Sequence, residues 1–102
     1  MKYIENKKDL INYFIQGSKI KNSLRIGTEH EKFLFDLKNK NPIPYDGDIS
    51  IVKIFSEFEK NNWVPIKEGK NILGLVKDKK NITLEPGLQF ELSGDAVQNI
   101  HQ

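Results

Sequence analysis

Glu29 and Glu31, in the run Ile26-Gly27-Thr28-Glu29-His30-Glu31-Lys32-Phe33, and Glu85, Gln89 and Glu91, in Ile82-Thr83-Leu84-Glu85-Pro86-Gly87-Leu88-Gln89-Phe90-Glu91-Leu92, are the residues whose types and spacing suit chemistry. Side chains of an extended strand alternate with a period of two, so Glu29 and Glu31 share one face while Thr28, His30 and Lys32 share the other. The same rule sets Gln89 and Glu91 on one face and Leu88, Phe90 and Leu92 on the opposite, buried one, with Glu85 just before the Pro86-Gly87 turn. Two carboxylates a pleat apart repel and raise each other's pKa. A hard divalent cation such as Mg²⁺, which takes oxygen ligands with phosphate and water completing its shell, would relieve that repulsion, and Glu29, Glu31, Glu85, Gln89 and Glu91 form a suitable donor set. The alternative is a solvated acidic face whose charges pair with some of the chain's 15 lysines.

Other chemistry finds less support. His30 alternates away from Glu29 and Glu31 and reads as a packed or surface imidazole. The segment Lys70-Asn71-Ile72-Leu73-Gly74-Leu75 lacks the spacing of a P-loop, so a nucleotide would be held in another way. Trp63 and the phenylalanines read as core or interface residues, because no basic groove accompanies them.

The elements that must position these acids follow from apolar spacing. Leu10, Ile11, Phe14 and Ile15, with Gly17 after them, predict a helix over about 7–16. The branched and aromatic run from Ser23 to Phe35 predicts one long strand, followed by a polar loop and the proline-rich turn Pro42-Ile43-Pro44-Tyr45-Asp46-Gly47. Asp48 is placed to cap a second helix with an apolar stripe of Ile49, Val52, Ile54, Phe55 and Phe58. Short strands are expected at Trp63–Ile66, Ile72–Val76, Ile82–Glu85 and Leu88–Leu92, with turns between them. Asp95 could cap a last helix. This order predicts an α+β fold, an antiparallel sheet with flanking helices.

Length and composition bound the function. A chain of 102 residues holds one domain at most, with a radius of gyration of about 13 Å when compact, too small for a large catalytic cleft with its own walls. No apolar run approaches the roughly 18 residues of a membrane span. A net charge of +2, with 16 basic residues scattered among 14 acids, gives no footprint for nucleic acid. The absence of cysteine excludes disulfides, thiolate zinc sites and a thiol nucleophile. With no secretory signal and early acids at Glu5 and Asp9, the expected compartment is the cytoplasm.

Four blocks in order, Ile26-Gly27-Thr28-Glu29-His30-Glu31-Lys32-Phe33, Pro44-Tyr45-Asp46-Gly47, Glu68-Gly69-Lys70-Asn71-Ile72-Leu73-Gly74-Leu75 and Ile82 to Gly94, with His101-Gln102 after them, resemble glutamate-cysteine ligases of the plant and proteobacterial type. The resemblance implies a glutamine-synthetase-like fold and an ATP-dependent ligase that joins the γ-carboxylate of L-glutamate to the amine of L-cysteine through an acyl phosphate, the first step of glutathione synthesis. It implies two or more Mg²⁺ ions, replaceable by Mn²⁺, with Glu29, Glu31, Glu85 and Glu91 as metal ligands and Gln89 serving metal or substrate. ATP is then a co-substrate. Leu88 stands where the family usually has a second glycine, and Asp95-Ala96 where Ala-Pro is common. Because that family's enzymes are several times longer, residues 1–102 are expected to form a single partial domain, the amino-terminal portion of a larger catalytic domain, inactive without the remainder of the ligase chain. Two other readings remain: another carboxylate-amine ligase of the same superfamily, and a non-catalytic binding or assembly module. Convergence of the acids favours the ligase lineage, and splayed acids favour the module.

Overall fold

The computed structural model describes residues 3–102. Its centre is a five-stranded sheet in the order β1-β5-β4-β3-β2, formed by β1 (Glu29–Lys32), β2 (Val64–Glu68), β3 (Asn71–Lys77), β4 (Lys80–Glu85) and β5 (Gln89–Ser93). Every neighbouring pair is antiparallel. Strands β2 to β5 follow one another as a meander, and β1 adds to the outer edge of β5 from earlier in the chain. Helix α1 (Lys7–Gly17) precedes β1, and α2 (Ile51–Glu59) lies between β1 and β2. The α+β class and the antiparallel sheet agree with the sequence pattern.

Helix α2 makes the core. Ile51 and Phe55 are buried on it and meet Ile72, Leu75 and Ile82 of the sheet, while Val52 and Phe58 flank them. Its N-cap is Ser50, whose fully buried hydroxyl accepts from the Lys53 amide and donates to the Gly47 carbonyl. Asp48 therefore does not cap, and Ile49 stays exposed. The hydroxyl of Ser50 can satisfy both an orphan amide and a loop carbonyl without burying a charge, as an aspartate there would. The proline-rich turn is tied to the sheet by the Tyr45 hydroxyl, which donates to the Ile72 carbonyl at 2.9 Å.

Three local differences from the sequence expectation have physical causes. The long strand expected from Ser23 is regular only over four residues, because β5 is its single neighbour; Ile26 and Phe35 extend it only through isolated bridges to Val97 and Pro42. In β3, Ile66 pairs with Gly74 and Lys67 with Ile72, which leaves Leu73 unpaired in a bulge. That extra residue lets Ile72 and Leu75, three apart, join the same core, which strict alternation forbids. After β5, Asp95 caps no helix; its carboxylate pairs with Lys80 at 3.1 Å, and the chain continues as a bridge at Val97 and a turn.

Gly74 sits where the β3 and β4 backbones approach. A Cβ built on it would lie 2.6 Å from the Ile82 carbonyl oxygen, an atom held by the β3–β4 ladder. Gly74→Ala is expected to destabilise the fold by about 1–3 kcal/mol, since neither backbone can yield cheaply. Urea unfolding checks this, and an unchanged midpoint would contradict it.

Candidate metal-binding acid face

Strand β5 joins the two acidic motifs. Its register against β1 sets Glu31 opposite Glu91 and Glu29 opposite Ser93, and its register against β4 sets Glu91 opposite Thr83 and Gln89 opposite Glu85. Glu29, Glu31, Glu85, Gln89 and Glu91 thus occupy one face of three adjacent strands. His30, Lys32, Ile82, Leu84, Phe90 and Leu92 occupy the other, where Phe90 stacks against Phe55 and Phe58 of α2. The face assignment from periodicity holds for Glu29, Glu31, Gln89 and Glu91 on one side and for His30, Lys32, Phe90 and Leu92 on the other, while the register adds Glu85 to the first and Ile82 and Leu84 to the second.

Hydrogen bonds organise the acids. The Gln89 side-chain amide donates to Glu31 Oε2 at 3.0 Å, bridging β5 and β1. Thr83 Oγ1 donates to Glu85 Oε1 at 3.0 Å, and Ser93 Oγ donates to Glu91 Oε1 at 3.4 Å. Thr83 and Ser93 escape notice in the sequence, because a hydroxyl becomes part of the site only once strand register places it beside a carboxylate. Among the described residues, the ion pairs are Lys60 with Glu57 and Lys80 with Asp95; none involves Glu29, Glu31, Glu85 or Glu91.

The consequence is visible at Glu91, whose pKa is raised above the ordinary carboxylate value. Partial desolvation of this half-buried side chain is the largest cause, followed by the negative charges of Glu29, Glu85 and Glu31 and by a hydrogen bond with Glu31. All three neighbours are the acids singled out by spacing, so the fold brings the four carboxylates within electrostatic reach of one another.

The donor set suits a hard divalent cation: its candidate ligand atoms are oxygens, the carboxylates repel, and among the described residues no cation forms an ion pair with them. Among the described residues no three His, Asp or Glu side chains close around one point. An ion such as Mg²⁺, which commonly uses one or two carboxylates with water and phosphate oxygens, needs no such cage. Glu31 and Glu91, directly opposed, are the pair best placed to hold one.

The turn that delivers β5 is held in left-handed backbone. Gly87 has φ 77° and Leu88 φ 62°. Leucine occupies that region at a cost of about 1–2 kcal/mol, and here its side chain packs against the hydrophobic core. The apolar contact offsets the strain that a glycine would avoid.

Among the described residues, an antiparallel α+β sheet thus carries one apolar face, partly covered by α2, and one face of carboxylates without ion-pair partners. Residues 25–102 match the model of glutamate-cysteine ligase family 2 (GCS2), and the chain belongs to that family. It is 45% identical over 96 residues to a chloroplastic glutamate-cysteine ligase of Medicago truncatula, covering 94% of this chain and 18% of the relative. Glutamate-cysteine ligase A, chloroplastic, of Oryza sativa subsp. japonica is likewise 45% identical, with 94% of this chain and 19% of the relative covered. The chloroplastic glutamate-cysteine ligase of Arabidopsis thaliana is 43% identical, with 94% and 18% covered. The chain thus spans less than a fifth of these relatives' length. They also correct the cytoplasmic expectation, since each is named chloroplastic.

The raised Glu91 pKa fixes a sign. In the folded chain Glu91 holds its proton to higher pH than when unfolded, so stability is lost as pH rises from the ordinary value of 4.5 through the raised one. Glu91→Gln is expected to raise the unfolding temperature at neutral pH and to lose that advantage below about pH 4.5, where the carboxyl is protonated in both states. Thermal unfolding across pH 4 to 8 reads this out, and a variant less stable at pH 7 would contradict it.

Proposed function

We propose that this chain is part of the catalytic domain of an ATP-dependent ligase that joins the γ-carboxylate of glutamate to the amine of cysteine, the first step of glutathione synthesis. Family membership supports the ligase assignment, and the opposition of Glu31 and Glu91, with Gln89 bridging to Glu31 and no ion pair to either among the described residues, is the observation that carries the site. In this reading the sheet forms one wall of a glutamine-synthetase-like funnel, with the acid face turned inward.

The chemistry runs in two steps. The glutamate γ-carboxylate attacks the γ-phosphorus of ATP, releasing ADP and forming an acyl phosphate. The amine of cysteine then attacks the acyl carbon, and phosphate departs as the amide forms. Bound Mg²⁺ or Mn²⁺ supplies neutralisation of phosphate charge and orientation of the phosphate oxygens. The chain's own contribution is to hold carboxylate oxygens of Glu29, Glu31, Glu85 and Glu91 in place on a rigid sheet. Thr83 and Ser93 donate to Glu85 and Glu91 and fix their orientation. Gln89, donating to Glu31, turns one carboxylate oxygen away from repulsion and leaves the other available. No protein nucleophile is needed, and the reacting thiol-bearing molecule is a substrate, which fits a chain without cysteine.

Because phosphate and substrate contacts require more walls than one sheet provides, the 102-residue chain alone is inactive in this proposal. Incubation with ATP, Mg²⁺, glutamate and cysteine is expected to give no γ-glutamylcysteine, and turnover by the isolated chain would overturn that statement. The metal reading has its own test. Calorimetric titration with Mg²⁺ or Mn²⁺ is expected to show binding that disappears in a Glu29→Gln, Glu91→Gln double variant. Equal binding by the variant would remove these acids as ligands.

A further inference from the structure

The turn Tyr45-Asp46-Gly47 holds two groups that can react with each other. The Gly47 amide donates to Oδ1 of its chain neighbour Asp46 at 2.8 Å. The carboxyl carbon, one bond from that oxygen, lies within about 4 Å of the nitrogen whatever its orientation. A small rotation of the carboxyl then brings it to the ~3–3.5 Å of a near-attack conformer. Gly47 has φ 129°, where residues with a side chain are rarely found, and it puts no Cβ beside the attacking nitrogen.

Other aspartates of the chain are engaged differently. The amide after Asp9, that of Leu10, is held by the Asn6 carbonyl. Asp36 Oδ1 accepts from the Lys38 and Asn39 amides, two and three residues on, and Asp95 pairs with Lys80. Among the described residues, Asp46 is the aspartate whose carboxylate meets the very next amide. The turn is also fixed on both sides. The Pro44 and Tyr45 carbonyls accept from the Ile51 and Val52 amides at 3.0 Å, the Gly47 carbonyl accepts from the buried Ser50 hydroxyl at 2.9 Å, and the Tyr45 hydroxyl is anchored on β3. All these contacts lie within residues 44–72 and do not depend on what covers the surface. In an unfolded chain the same two groups must meet against backbone freedom worth a factor of about 5–30 per residue fixed.

We propose that Asp46-Gly47 is a site of spontaneous backbone isomerisation, promoted by a fold that holds the Gly47 amide against the Asp46 carboxyl. The Gly47 nitrogen bonds to Asp46 Cγ, and a Cγ–O bond of the carboxylic acid breaks. The departing oxygen takes the N–H proton and the acid proton and leaves as water, which closes a five-membered succinimide. Water then adds to the Asp46 main-chain carbonyl carbon, whose bond to the Gly47 nitrogen breaks. The chain now runs through Cγ as an isoaspartyl linkage with a free α-carboxylate. Mass is unchanged, and water is the only co-reactant. The longer linkage draws the Gly47 carbonyl away from Ser50, so the modified chain loses a bond that holds the cap of α2, the helix that makes the core. The site is remote in sequence from the acid motifs, and the proposal stands independently of the ligase reading.

The test ages the chain at physiological temperature and neutral pH, once folded and once unfolded in urea. Isoaspartate is read by methylation with an isoaspartyl methyltransferase and a labelled methyl donor, and is located by peptide mapping. Label is expected at Asp46, accumulating about fivefold or more faster in the folded chain than in the unfolded one. Asp46→Glu keeps the charge but would need a six-membered ring, and is expected to lose the label. The isomerised chain, separated by chromatography, is expected to unfold at a lower temperature than the unmodified chain. Equal or faster isomerisation in urea would overturn the proposal, because the fold would then protect the bond rather than activate it. Label that persists in Asp46→Glu would place the reaction elsewhere and overturn it as well. An isomerised chain that unfolds at the unmodified temperature would refute the link to the α2 cap.

Discussion

Strand β5 is hydrogen-bonded along both edges, to β1 and to β4, and the rest of the molecule depends on that double pairing. Its alternating sequence, Gln89-Phe90-Glu91-Leu92-Ser93, cannot slip by one residue without burying carboxylates under α2 and exposing Phe90 and Leu92 to water. The cost of either is several times that of a single hydrogen bond, so the apolar side chains lock the register. Once locked, that register opposes Glu31 to Glu91 whatever the preference of the two charges. Packing on one face therefore creates the electrostatic problem on the other.

The polar face answers the problem only partly. Gln89, Thr83 and Ser93 supply donors to the carboxylates, yet none brings a positive charge. Partial burial and three neighbouring acids leave Glu91 with an elevated pKa. In soluble sheets such repulsion is usually relieved by an alternating lysine, and this chain has 15 of them. The nearest in sequence, Lys32, falls on the helix side because it is one residue beyond Glu31. The acid face thus stays without an ion-pair partner among the described residues of a lysine-rich chain.

The fold is correspondingly lopsided in its stability. Ile51, Phe55, Ile72, Leu75 and Ile82 form a small buried core under α2, while α1 and the outer half of the apolar face stay uncovered. The bulge at Leu73 and the left-handed pair Gly87-Leu88 are both accommodated next to that core, the first by returning Ile72 to it and the second by anchoring Leu88 against it. Irregular backbone is tolerated where apolar contact offsets it.

Much of this was legible in the residues. Alternation alone assigned Glu29, Glu31, Gln89 and Glu91 to one side of their strands and His30, Phe90 and Leu92 to the other, because side-chain direction in a strand is fixed by local geometry. Helical spacing located α1 and α2 for the same reason. The partners were not legible: that Glu31 faces Glu91, that Thr83 and Ser93 join the acids, that Ser50 rather than Asp48 caps α2, that a bulge carries Ile72 back to the core, and that Asp95 pairs with Lys80 instead of starting a helix. Each of these depends on which distant segment lies alongside, a choice made by burial summed over the whole sheet. Periodicity says which way a side chain points, and only the tertiary structure decides what it meets there.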